Sequence, residues 1–381
     1  MNSRQKEYKD LKKKLKKLKR EKQIYEERMD IFLESYEVFP KKVIGKGGFG
    51  KVVEGLSKKT GDTVAIKFVK KKKLSDSELA RKFPKEYKLL SKVQGVGGVI
   101  GLLDYFELQD RYAYVMEKPD NCLSLEAFID GNYNEYDEPL TEFESKDIWK
   151  QLVETTIGCH EKEIYHRDIK PENVLLDGDK MIRLIDFGCG DRLKKEPYFE
   201  FSGTPIYNPP EVVKRSGAYY AEPQTVWTLG ITLFEMVCGD RPFEKEEEIK
   251  KFTGKLPYDE MFNKLSPKCQ HTIMSCLTTN PRDRPKLKEL LSLPWMIEEG
   301  DDFDNNDSNN VSNNDSNSDS NNVSNSDSNI DSNNDSNYDS SNDSNDMNLK
   351  VEMPSTKKRK YEDDLESGYT SYKHKKLRRH A

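Results

Sequence analysis

The run His166-Arg167-Asp168-Ile169-Lys170-Pro171-Glu172-Asn173, followed by Leu184-Ile185-Asp186-Phe187-Gly188, decides how this chain is read. Each polar position in it suits phosphoryl transfer, whose loose transition state asks for positioning and charge compensation more than for covalent chemistry. Asp168 can orient an attacking hydroxyl and take its proton late, while Lys170 offsets charge on the moving group. Asn173 and Asp186 offer the hard oxygen donors that suit Mg²⁺ between phosphates. Phe187 is placed to pack, and Gly188 permits a turn. A single histidine or aspartate here would read as a satisfied core residue, so the joint spacing carries the inference.

Working outward, Ile44-Gly45-Lys46-Gly47-Gly48-Phe49-Gly50-Lys51-Val52 fits Gly-x-Gly-x-x-Gly-x-Val between β-branched residues. The same glycine spacing marks dinucleotide folds, where the third glycine opens a helix and an acidic residue follows about 20 positions on. Here the chain returns as a strand. In the next strand, Val64-Ala65-Ile66-Lys67 sets a lysine among apolar residues, which is costly unless its charge meets a ligand or a carboxylate. The expected partners are ATP phosphates and Glu86, whose segment has helical spacing at Leu89, Leu90 and Val93.

This set resembles the eukaryotic protein kinases over residues 39–296. The resemblance implies an α+β, bilobal fold: a small antiparallel sheet with one helix over about 39–118, and a larger, mainly helical lobe over about 119–296. ATP lies between them, bound by Ile44, Gly45, Lys46, Gly47, Gly48, Phe49, Gly50, Val52, Ala65, Lys67, Glu86, Glu117 and Leu175. Ser202-Gly203-Thr204-Pro205, with Lys170 two residues after Asp168, resembles serine/threonine rather than tyrosine kinases. Thr204 is expected to bond both Asp168 and Lys170. Pro209-Pro210-Glu211 stands for the usual Ala-Pro-Glu, with Arg284 as the buried ion-pair partner of Glu211.

Val115-Met116-Glu117-Lys118-Pro119 puts a proline where most kinases offer adenine a backbone N–H, leaving the Glu117 carbonyl. Together with Gly98-Val99-Ile100-Gly101-Leu102-Leu103-Asp104 and Val237-Cys238-Gly239-Asp240-Arg241-Pro242-Phe243-Glu244, this resembles the Pim family, as does Pro294-Trp295-Met296. That likeness implies constitutive activity and a preference for basic residues upstream of the target serine or threonine, read by Glu172, Asp240 and Glu244. Glu200 occupies the position of a phosphothreonine in many kinases, so its carboxylate is expected to pair with Arg167 and order the activation segment. There are departures from the family pattern. Ser124 and Ala127 replace acidic residues and an acidic insert runs from Asn132 to Glu138, whereas Thr225, standing where most kinases brace the catalytic loop with an aspartate, agrees with the family, whose members also lack it.

Of the 381 residues, 34% are hydrophobic and 34% charged, too polar for a chain packed throughout. The formal charge of -5 sums opposites. Residues 1–38 form a basic helical extension with Tyr8, Leu11, Leu15, Leu18, Tyr25, Met29 and Phe32 on one seam, interrupted by Lys22. It is read as leaning on the folded domain, as a short coiled coil able to self-associate, as a binder of acidic surfaces or as a nuclear-import signal. Residues 297–348, rich in Asp, Ser and Asn, lack the apolar area to offset ordering entropy and are expected to be disordered. Residues 349–381 form a basic tail, with Lys357 to Lys360 and Lys373 to Arg379 expected to direct nuclear import from the cytoplasm.

The N-terminus has no signal-peptide pattern, and no apolar run approaches the ~18 residues of a membrane span. The six cysteines show no Cys-x-x-Cys spacing and read as reduced thiols. Nucleic-acid binding is disfavoured because the basic clusters lack interleaved aromatics. A kinase-fold scaffold without catalysis is opposed by intact Lys67, Asp168, Asn173 and Asp186. The expected ligands are therefore ATP, Mg²⁺ and protein substrates carrying Ser or Thr near basic residues, bound by a monomer.

Overall fold

The computed structural model describes residues 3–46, 50–136, 138–214, 217–256 and 260–297. The expectations placed on residues 298–381 lie outside this set. The chain begins with helix α1 (Ser3–Ser35) and continues into strands β1 (Tyr36–Lys46), β2 (Gly50–Ser57) and β3 (Thr63–Lys70). Short helix α2 (Asp76–Leu79) and helix α3 (Lys85–Lys92) follow, then β4 (Leu102–Glu107) and β5 (Arg111–Glu117). These strands form one antiparallel sheet in the order β1-β2-β3-β5-β4.

Strand alternation gives this sheet two apolar faces. Val64, Ile66 and Phe68 of β3 join Val53, Ala113 and Val115 in a buried cluster on one face. Lys67 points to the other, where it meets Glu86 of α3. One helix can cover only one of these faces. The second cover is the C-terminal end of α1, which buries Phe32 to 2% exposure and packs Met29 and Leu33 alongside it. Arg28 pairs with Glu107 at 2.8 Å, and Lys71 reaches the same carboxylate at 3.0 Å. The small lobe therefore holds more than the single helix expected, and its core draws on Phe32, Tyr36 and Val38, which precede residue 39.

The larger lobe opens with β6 (Leu123–Ser124) and α4 (Leu125–Tyr136), then α5 (Glu142–Glu161), whose start carries a Thr141/Glu144 capping box. Strands β7 (Ile164–Tyr165), β8 (Val174–Leu176), β9 (Ile182–Leu184) and β10 (Asp191–Arg192) form two small sheets, β6-β8-β9 and β10-β7. Helices α6 (Pro210–Val213), α7 (Ala221–Cys238), α8 (Glu246–Lys251), α9 (Glu260–Lys264), α10 (Pro267–Cys276) and α11 (Pro294–Ile297) complete it. Helix α7 is buried on nearly every side, as its largely apolar sequence requires. Trp149 of α5 donates its indole N–H to the Leu229 carbonyl of α7 at 3.0 Å. On this base the loop between β7 and β8 holds residues 166–173, and the turn after β9 holds Asp186. No helix among the described residues is long and apolar enough to cross a membrane.

Candidate active site

Asp168 is held from two sides. Its Oδ1 accepts from the Thr204 hydroxyl at 2.7 Å and the Thr204 N–H at 2.8 Å, and its Oδ2 accepts from Asn173 Nδ2 at 3.1 Å. Asn173 Nδ2 also donates to the Asp168 carbonyl at 2.8 Å, which leaves the amide oxygen as the donor for a cation. The expected bond from Thr204 to Asp168 is formed. Lys170, expected on the same threonine, instead sets its Nζ 3.8 Å from Glu172 Oε1. Gly203 has φ +87, and a Cβ there would collide with the Arg167 carbonyl, so the activation segment can pass this close only as glycine.

His166 supports the loop as a neutral ring. Nε2 donates to the Ile185 carbonyl at 3.0 Å, Nδ1 accepts from the Asp168 N–H at 3.3 Å, and burial holds the pKa below the usual histidine range. Its ring meets Phe187 edge-on at 4.7 Å, which ties the catalytic loop to the Asp-Phe-Gly turn.

On the phosphate side, Lys67 Nζ lies 2.5 Å from Glu86 and 2.8 Å from Asp186 Oδ1. Burial works against the ammonium, but the two carboxylates outweigh it and raise its pKa, so it stays charged. Burial likewise pushes the Asp186 carboxyl up, and Lys67 with the Gly188 N–H at 3.2 Å more than reverses this. Asp186 sits at φ 61, a left-handed conformation that aspartate tolerates better than most residues. Gly45 and Lys46 end β1 opposite Val52 and Lys51 of β2, and Gly50 faces the Phe68 carbonyl so closely that no Cβ fits. Gly47, Gly48 and Phe49 lie outside the described residues.

Val52 and buried Ala65 come to the nucleotide cleft from the sheet, Ile44 is exposed on β1, and half-buried Leu175 comes from β8. Glu117 ends β5, its N–H donating to the Gly101 carbonyl at 2.9 Å and its carboxylate accepting from Arg183 at 3.1 Å. The donor set fits a cation held largely by nucleotide phosphates. Asn173 and Asp186 give two oxygen ligands, and no cluster of three or more His, Cys, Asp or Glu that could hold a metal by itself occurs among the described residues.

Arg167 departs from expectation. Its Nη2 donates to the main-chain carbonyl of Glu200 and, at 2.6 Å, to the Tyr219 hydroxyl, while its charge faces Asp191 Oδ2 at 3.6 Å. The Glu200 carboxylate is not the partner. The cause lies in placement: Asp191 sits on β10, which pairs with β7 immediately before Arg167. Arg284 follows expectation, donating to both oxygens of Glu211 at 2.7 and 2.9 Å with its own side chain fully buried. Thr225 turns its hydroxyl back to the Ala221 carbonyl at 2.8 Å. The neighbouring Gln224 does the bracing, accepting from the Tyr165 hydroxyl at 2.6 Å and donating to Asn208 at 2.9 Å.

A second group of charges gathers around Tyr207. Glu172 keeps a buried Oε2 without a hydrogen-bond partner. Glu235, which the motifs did not single out, accepts from the Tyr207 hydroxyl at 2.7 Å, and burial pushes its carboxyl up to about 7. Glu172 and Asp240 act on it as like charges, while the Arg241 guanidinium offsets them. An acid between Phe234 and Met236 in an apolar helix was the available signal. Glu244 is exposed, its N–H donating to Glu248 at 2.8 Å. Ser124 accepts from the Ala127 N–H at 3.1 Å and so helps start α4, and Asn132 closes the acidic insert through the Glu138 and Pro139 carbonyls at 2.9 and 3.1 Å.

A lysine of the sheet paired with a helix glutamate, a carboxylate fixed beside an activation segment and two oxygen donors in a cleft between lobes define a protein kinase. The family described as Protein kinase domain matches residues 39–296. The chain is 40% identical over 286 residues to the serine/threonine-protein kinase pim-2 of Danio rerio, covering 71% of this chain and 87% of that protein. It is 31% identical over 287 residues to the serine/threonine-protein kinase prk-2 of Caenorhabditis elegans, covering 74% of this chain and 62% of that one. The chain belongs to the eukaryotic protein kinases and, within them, to the Pim-like serine/threonine kinases, which transfer phosphate from ATP to protein substrates.

Proposed function

We propose that this kinase works without phosphorylation of its activation segment, uses Mg²⁺ with ATP, and selects serine or threonine preceded by basic residues. The observation that carries the first part is the set of partners around Arg167. In a kinase awaiting phosphorylation that guanidinium would lack its anion, whereas here Asp191, the Glu200 carbonyl and the Tyr219 hydroxyl already meet it. Asp168, fixed by Thr204 and Asn173, orients the substrate hydroxyl and takes its proton late; Lys67 holds the α and β phosphates, and Lys170 faces the transferred group. Asn173 and Asp186 would hold Mg²⁺, which supplies charge neutralisation between the β and γ phosphates when bound.

Basic preference is supported by the acids Glu172, Glu235 and Asp240 on the peptide side, one with an unpaired buried oxygen. A phosphatase-treated, bacterially expressed chain assayed on a peptide array tests the reading. It should phosphorylate Ser and Thr at once, faster with Arg or Lys upstream, and Asp168→Asn should be silent. A lag removed only by an upstream kinase, or indifference to upstream charge, would contradict it.

A further inference from the structure

Helix α1 uses one seam for two purposes, and only the lower half of that seam is covered. From Tyr25 onward it faces the kinase: Tyr25 bonds Glu107, Arg28 pairs with Glu107, and Met29 and Phe32 pack on the sheet. Every residue from Arg4 to Arg20 is exposed. Tyr8, Leu11, Leu15 and Leu18 continue the same three-and-four spacing at 69%, 63%, 54% and 54% exposure, so the packing face runs on beyond the lobe with nothing described against it.

The surroundings of this upper seam specify its occupant. Between Arg4 and Lys22 there are eleven lysines and arginines against three acidic residues. Taking Leu11 and Leu18 as the d positions of heptads, Lys12 and Lys19 fall at e, immediately beside the seam. A second copy of the chain would bring this positive charge against itself. A lipid surface asks for a broad apolar face, whereas this stripe is the narrow width of a coiled-coil seam with lysines at its edge. We infer that Tyr8, Leu11, Leu15 and Leu18 form the docking seam for an acidic helix of another protein, with leucines in its own seam and glutamate or aspartate flanking them. About 20 residues of helix, on the order of 30 Å, allow two to three heptads of contact.

The full-length chain would be titrated by fluorescence anisotropy against a designed three-heptad helix with Leu at a and d and Glu at e and g. Binding should be saturable and should weaken at least tenfold both at high salt and in the Leu11→Gln, Leu15→Gln, Leu18→Gln triple variant. Peptide phosphorylation by that variant should be unchanged, which shows that the lobe has kept its fold. A peptide of the same seam with Lys at e and g should not bind. Undiminished binding by the triple variant would overturn the inference. So would dimerisation through the seam in sedimentation, or tighter association with phosphatidylserine vesicles or duplex DNA than with the acidic helix.

Discussion

Lys67 lies between two carboxylates, Glu86 at 2.5 Å and Asp186 at 2.8 Å, whereas Glu172 keeps a buried oxygen unpaired and burial pushes the Glu235 carboxyl up to about 7. On the proposed reading the two regions handle charge differently because their ligands do. Nucleotide phosphates and a cation need fixed geometry, so the protein satisfies those groups internally and keeps them in register. On the proposed reading a peptide's basic side chain brings its own charge, and the unpaired oxygen of Glu172 is left to meet it. Arg241 stands among these acids, its charge offsetting Glu235.

Breaking the nucleotide side should cost most. Lys67→Met removes the cation that Glu86 and Asp186 hold, and radiometric peptide phosphorylation should fall by roughly three orders of magnitude, within the range for positioned catalytic groups. Unchanged turnover would favour the scaffold reading. Next comes Arg284→Ala, which leaves Glu211 without its buried partner. Urea unfolding should show a loss of about 3–5 kcal/mol, and a midpoint close to wild type would mean that the pair is not stabilising.

The peptide side should give smaller, selective effects. Glu235 is neutral below its pKa of about 7 and charged above it. The KM for an Arg-containing peptide should therefore fall as pH rises from about 6 to 8, while that for an Ala-substituted peptide stays level. Glu235→Gln should flatten this profile and weaken the Arg preference roughly tenfold, the scale of a lost charge-assisted contact. Arg241→Ala should sharpen the same preference by a few fold, since a competing cation is gone, and no change in the Arg-to-Ala ratio would place Arg241 outside the reading site. Glu200→Gln should leave initial rates unaltered, because Arg167 meets the carbonyl of residue 200; a marked loss would restore the carboxylate as its partner.

Asp168, Asn173, Asp186 and Lys67 were legible because phosphoryl transfer constrains residue types within short local runs. Glu235, Arg241, Gln224 and Asp191 were not. Tyr207 meets Glu235 across 28 residues and Tyr165 meets Gln224 across 59, and no motif encodes such separations. The Glu200 expectation failed at a finer level, with the right residue contributing its main chain instead of its side chain.

By itself, the sequence determined the kinase class, the candidate catalytic set and the helical seam at the N-terminus, since each rests on local spacing and residue chemistry. Tertiary structure decided which anion faces Arg167, which acids gather on the peptide side, and where the seam of α1 passes from packed to open. Those outcomes depend on which distant elements share a surface, and burial on that surface fixes both the charge of Glu235 and the cover that Phe32 gives the sheet.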